Sequence, residues 1–82
     1  MVEKTFCVGA KQGLNVDMAG KMANLAEKYD CTALLYYKDG FANMGSLLNI
    51  VAMGIVCGDE VTVQCSGVQE VQALDAYEKL IG

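Results

Sequence analysis

The stretch Gly13-Leu14-Asn15-Val16-Asp17-Met18-Ala19 holds the residues most able to do chemistry. An extended run ends just before it and a helical run begins inside it. A strand-to-helix junction leaves backbone N–H groups without partners at the helix start, a natural place to hold an anion. Here Asn15 falls at the cap and Asp17 in the first turn. Asn satisfies the orphan donors and Asp interacts well with the helix dipole, so both stabilise the helix. Both also weaken the place as a phosphate site. The question set by this stretch is whether it is a plain capped helix or an anion site that has been filled in.

Other chemistry is sparse. The chain has no histidine and no arginine. That removes the usual general base and the bidentate clamp for phosphate or carboxylate. Four cysteines, Cys7, Cys31, Cys57 and Cys65, are scattered without a Cys-x-x-Cys pair. With no histidine to complete a zinc site, reduced and mostly buried thiols are expected, with no metal and no cofactor. An enzyme would need a nucleophile beside a base. With no histidine and no carboxylate pair to act as the base, no catalytic activity is expected, a cysteine nucleophile being the one opening left.

Six lysines against ten acidic residues give a net charge of −4, which argues against nucleic acid as a partner. The longest apolar run, near Ile50 to Cys57, is too short to span a membrane. The first residues lack a charged-then-apolar signal pattern, so the expected compartment is the cytoplasm. At 82 residues, one domain over 1–82 is expected, resting on a single core.

The elements that must position the junction follow from periodicity. Residues 2–8 read as a strand with Phe6 and Val8 inward and Cys7 outward. Gly9 to Gly13 supply a turn. Val16, Ala19, Met22, Ala23, Leu25, Ala26 and Tyr29 recur at three- and four-residue steps, the signature of an amphipathic helix over 16–29. Gly20 weakens that helix by about 1 kcal/mol relative to Ala. A closely approaching partner or internal packing would each explain it.

Thr32 to Tyr37 reads as a second strand, Lys38-Asp39-Gly40 as a hairpin signal with Asp-Gly suited to a tight turn of positive φ, and Phe41 to Met44 as a short returning strand. Ser46 is a good cap for a brief helix over Leu47 to Met53. Glu60 to Cys65 alternates, with Val61, Val63 and Cys65 inward. Gln69 to Ile81 closes the chain as an amphipathic helix through Val71, Ala73, Leu74, Tyr77, Leu80 and Ile81. The order βαββαβα predicts an α+β fold with helices covering one face of a sheet.

Several strings resemble the histidine-containing phosphocarrier (HPr) family of the bacterial phosphoenolpyruvate-dependent sugar phosphotransferase system. They are Gly13-Leu14 with Ala19, Asn43-x-x-Ser46-Leu47-Leu48-x-Ile50 with Met53-Gly54, Gly58-x-x-Val61, and Gly67 before the last helix. The likeness runs over essentially the whole chain. It implies an open-faced β-sandwich, a four-stranded antiparallel sheet with three helices on one face. The family's central motif is Gly-[Leu/Ile]-His-Ala-Arg-Pro-Ala, whose histidine receives and passes on a phosphoryl group. On that comparison Asn15 stands at the histidine position, Asp17 at the arginine position and Met18 at the proline position.

Those differences bear on the chemistry. A carboxamide nitrogen is not a phosphoryl acceptor, because its lone pair is delocalised into the carbonyl. Asp17 would repel a phosphate by about 1–4 kcal/mol at about 4 Å, depending on the effective dielectric. The resemblance further implies a regulatory serine, phosphorylated in many Gram-positive bacteria, at the position of Ser46. A plain N-cap explains the same residue. Gly45, where relatives often carry lysine, and Asn49, where they carry glycine, depart from the family pattern.

The resemblance also implies a partner-binding surface of Val16, Met18, Gly20, Leu47, Leu48 and Val51. Leu47 and Leu48 should be partly exposed and Ile50 buried. Together these features imply a regulatory or adaptor module that lacks the carrier histidine. Its partners would be proteins such as phosphotransferase-system enzymes, a serine kinase or a transcriptional regulator. The alternative is a small-molecule-binding βαββαβ regulatory domain unrelated to phosphotransfer. The glycines at 40, 45, 54 and 58 would suit it, although no convergent polar cluster accompanies them.

Overall fold

The computed structural model describes all residues, Met1–Gly82. The elements run β1 (Val2–Cys7), α1 (Val16–Lys28), β2 (Thr32–Tyr37), β3 (Gly40–Asn43), α2 (Leu47–Ala52), β4 (Glu60–Ser66) and α3 (Glu70–Ile81). The strands form one antiparallel sheet in the order β1-β4-β2-β3. The helices cover one face of this sheet, and the other face is open, as expected for this α+β order.

Alternation along the strands decides which face is covered. Val61, Val63 and Cys65 of β4 are buried, as are Ala33 and Leu35 of β2 and Ala42 of β3. The register sets Ala33 opposite Cys65, and Leu35 opposite both Val63 and Ala42, so one face is continuously apolar. β1 contributes Val2 and Phe6 to that side. Lys4, opposite Val63, also faces inward and reaches an ion pair with Glu78 of α3 at 2.6 Å. Its aliphatic stem can lie on apolar surface while the ammonium stays at the edge.

From the helices, Ala19 and Met22 of α1, Ile50 of α2, and Ala73, Tyr77 and Ile81 of α3 complete the buried cluster. Val71 departs from its expected inward place and is exposed. It lies two residues from Ala73, about 200° around the helix, and so faces away from the sheet.

The hairpin falls within Lys38-Asp39-Gly40 as expected, but the positive φ is not on Asp-Gly. Tyr37 pairs with Gly40, so Lys38-Asp39 forms the turn, and the positive φ of 53° falls on Lys38. Keeping Leu35 and Ala42 inward together forces this pairing, and the strand alternation overrides the Asp-Gly preference.

The thiols are less buried than expected. Cys65 is buried and Cys31 half-buried, but Cys7 and Cys57 are exposed, and all four are free. Cys7 lies on the open sheet face and Cys57 in the turn before β4, where no packing layer covers them. Burial pushes the Cys65 thiol up to about 12 and raises that of Cys31, so neither is activated.

Candidate functional site

The α1 start is built by Gly13. Its φ of +70° turns the chain, and a Cβ there would lie 2.6 Å from the Ile55 carbonyl oxygen and 2.9 Å from the Val56 Cα. The Gly13 N–H donates to the Ala10 carbonyl at 2.9 Å, and the Leu14 N–H donates to the Ile55 carbonyl at 3.0 Å. Leu14 is buried in the core. The junction is thus seated on the segment after α2.

That segment is itself braced by Asp59. Its carboxylate accepts from the Val56 N–H at 3.0 Å and from the Tyr37 hydroxyl at 2.8 Å. These hydrogen bonds, the Val56 one foremost, hold the Asp59 carboxyl below the usual range.

Asn15 caps α1 as expected. Its Oδ1 accepts from the Met18 N–H at 3.0 Å, and its Nδ2 donates to Gln12 Oε1 at 2.9 Å. Both ends of the carboxamide are engaged. The N–H groups of Val16 and Asp17 keep no protein partner. Beside the junction is a shallow cleft of about 260 Å³ that includes Lys11, Gln12, Asn15, Asp17, Met18 and Lys21 among its walls.

The two lysines are an addition to the sequence reading, which weighed only Asp17. Neither forms an ion pair with it, since the ion pairs of the chain are Met1 N–Glu70, Lys4–Glu78 and Lys79–Asp75. The cleft therefore holds two positive charges against one negative. The i,i+4 spacing of Asp17 and Lys21 was the available signal for the second lysine. For Lys11 the only signal was its place in the turn before Gly13.

At the second candidate site, Ser46 occupies the N-cap position of α2, but its side chain makes no capping hydrogen bond. Asn43 instead holds the turn that leads into the helix. Its Oδ1 accepts from the Gly45 N–H at 2.8 Å, and its carbonyl accepts from the Ser46 N–H at 2.9 Å. The asparagine three residues before Ser46 was the sequence signal for this turn. Ser46 is partly exposed and lies outside the Lys11–Lys21 cleft.

The apolar candidates divide by burial. Ile50 is buried, Leu47 half-buried and Leu48 77% exposed, as expected. Leu47, Val51 and Met18 rest partly against the core, whereas Val16 is 61% exposed. α1 and α2 meet at Gly20, whose absent Cβ would sit 3.9 Å from Leu47 Cδ1. That is ordinary contact distance, so no close approach inside the fold requires the glycine. Gly20→Ala is expected to stabilise the chain by about 0.5–1 kcal/mol, read as a raised urea midpoint.

Residues 2 to 82 match the family model described as the PTS HPr component phosphorylation site. The chain belongs to the HPr family. It is 31% identical over 80 residues to the phosphocarrier protein HPr of Treponema pallidum, covering 98% of this chain and 91% of that one. Against the HPr of Mycoplasma capricolum it is 30% identical over 79 residues, covering 96% and 89%. The crystal structure of an HPr from Thermoanaerobacter tengcongensis superposes with a TM-score of 0.92 at 26% identity, over 99% of this chain and 91% of that chain.

Sequence and fold thus agree along the whole HPr-like chain, and a merely architectural likeness is set aside. The relatives are named as phosphocarriers, proteins that carry a group rather than catalyse a reaction. No helix is long and apolar enough to cross a membrane.

Proposed function

We propose that this HPr-family chain does not carry a phosphoryl group on histidine, and serves as a regulatory or adaptor module in the cytoplasm. It forms one domain over residues 1–82 and docks onto partner proteins through the starts of α1 and α2. The observation that carries this reading is the state of Asn15. Both ends of its carboxamide are committed to Met18 and Gln12, and no histidine exists elsewhere in the chain. The Asn15 carboxamide nitrogen, its lone pair delocalised into the carbonyl, cannot take the phosphoryl group that the family's histidine takes.

The docking patch centres on Val16, Gly20 and Leu48, with Met18, Leu47 and Val51 at its base. Exposed Val16 and Leu48 support it, since apolar side chains left in water at neighbouring helix ends favour a partner. Ser46 is the candidate control point. Its hydroxyl is partly exposed and makes no capping bond, so modification would not remove a cap. A phosphate beside Leu47 and Leu48 would add about −1.5 to −2 charges at the edge of the apolar patch and change partner choice.

Two assays test the reading. Incubation with phosphoenolpyruvate and the first enzyme of the phosphotransferase system should leave the protein unlabelled, and labelling would overturn the proposal. Incubation with the system's serine kinase and ATP should add one phosphate by mass, abolished in Ser46→Ala. No added phosphate would remove the control at Ser46 and leave a constitutive adaptor. Phosphate retained in Ser46→Ala would place the control elsewhere.

A further inference from the structure

A second surface runs along the seam of α1 and α3, sharing only Lys21 with the cleft at the α1 start. Between α1 and α3 runs an open trough of about 510 Å³, floored by Leu25, Tyr29 and Leu80 and rimmed by Lys21, Lys28 and Lys79. The floor residues are half-buried, so apolar surface remains in contact with water along the seam of the two helices. Lys28 extends over the Tyr29 ring, its ammonium 5.5 Å from the centroid. Lys79 pairs with Asp75 at 3.0 Å, but both side chains are well exposed and the pair is readily exchanged.

The distribution of charge is unusual for this chain. Half of its six lysines border the trough, no acidic residue lines it, and the net charge is −4. On α1 this face is distinct from the docking patch. Lys21 follows Gly20 and so points about 100° away from it around the helix. Apart from Lys21, the trough and the α1-start cleft are lined by different residues.

We infer that the α1–α3 trough docks an acidic amphipathic helix of a partner protein, its apolar stripe on Leu25, Tyr29 and Leu80 and its carboxylates on Lys21, Lys28 and Lys79. Shape and charge select this occupant. Small ligands bind in clefts that enclose about 70–90% of their surface, whereas this trough is open along its length. A helix laid in a groove needs an apolar floor with a charged rim, and it reads side chains at three- and four-residue spacing. The positive rim on an otherwise negative chain favours acidic partners and repels basic ones.

The test uses the full chain with a short synthetic peptide, glutamate-rich and with leucine at helical three- and four-residue spacing. Binding is followed by fluorescence polarisation and by NMR shifts of Leu25, Tyr29 and Leu80. The peptide should bind at those residues and weaken with added salt. Lys28→Glu with Lys79→Glu should loosen it about tenfold, while Lys28→Arg with Lys79→Arg retains it. Both lysines are exposed, so neither exchange threatens the fold.

Equal binding by a peptide of the same composition with its leucines scattered would overturn the inference. So would an affinity indifferent to the charge reversal. Saturable decanoate binding at these residues in the absence of peptide binding would assign the trough to a small anionic amphiphile. Shifts that grow with protein concentration alone would assign it to a second copy.

Discussion

Gly13→Ala is expected to lower stability by about 2–4 kcal/mol, a large share of what a domain of this size possesses. Two costs combine. A φ of +70° disfavours any residue with a Cβ by about 1 kcal/mol. The added carbon would also lie 2.6 Å from the Ile55 carbonyl oxygen and 2.9 Å from the Val56 Cα, both backbone atoms that cannot rotate away. Relief requires the turn to lift from its seat, which breaks the Leu14 N–H bond to Ile55 and withdraws Leu14 from the core. In a chain this short the loss corresponds to a fall in Tm of roughly 10–25 °C. Thermal unfolding followed by circular dichroism would measure it. A change of less than about 1 kcal/mol would show that the seat is soft. The contrast with Gly20→Ala, where the space is open, makes the pair of variants diagnostic of position rather than of residue type.

Tyr77 should respond in opposite directions to two substitutions. Its side chain is fully buried, and its hydroxyl has no hydrogen-bond partner. Burial, with the Cys65 and Cys31 sulfurs nearby, pushes its ionisation well above the ordinary tyrosine range. The ring is among the largest side chains of the core, so Tyr77→Ala should cost about 3–5 kcal/mol. Tyr77→Phe keeps the ring and removes an unsatisfied polar group, and should instead gain about 1 kcal/mol. Urea titrations of the three proteins would give both values. Destabilisation in the phenylalanine variant would falsify the claim that the hydroxyl is unpartnered.

Much of the fold was legible in the sequence because each element carries its own period. Thr32–Tyr37 matched to the residue, and the helices and β4 matched to within a residue at either end. The Asn15 cap was legible for the same local reason, since a cap needs only residues within one turn of itself. Where a distant contact competes, local reading failed. In the hairpin the positive φ fell on Lys38 rather than on Asp39-Gly40, with Leu35 and Ala42 held in one core layer. Ser46 took the N-cap position of α2 without a side-chain hydrogen bond to it, and Val71 turned to solvent because the sheet claims the opposite side of α3.

The sequence by itself determined the order of elements, the capped start of α1, the lack of any histidine and the kinship with HPr. These depend on residue identity and on neighbours within a few positions. Only the tertiary structure decided which surfaces exist. It set Lys11 and Lys21 around one cleft, brought Lys79 beside a trough shared with Lys21 and Lys28, and left Val16 and Leu48 in water. Those arrangements join residues far apart along the chain. They follow from packing three helices on one twisted sheet, which no local pattern of residues encodes.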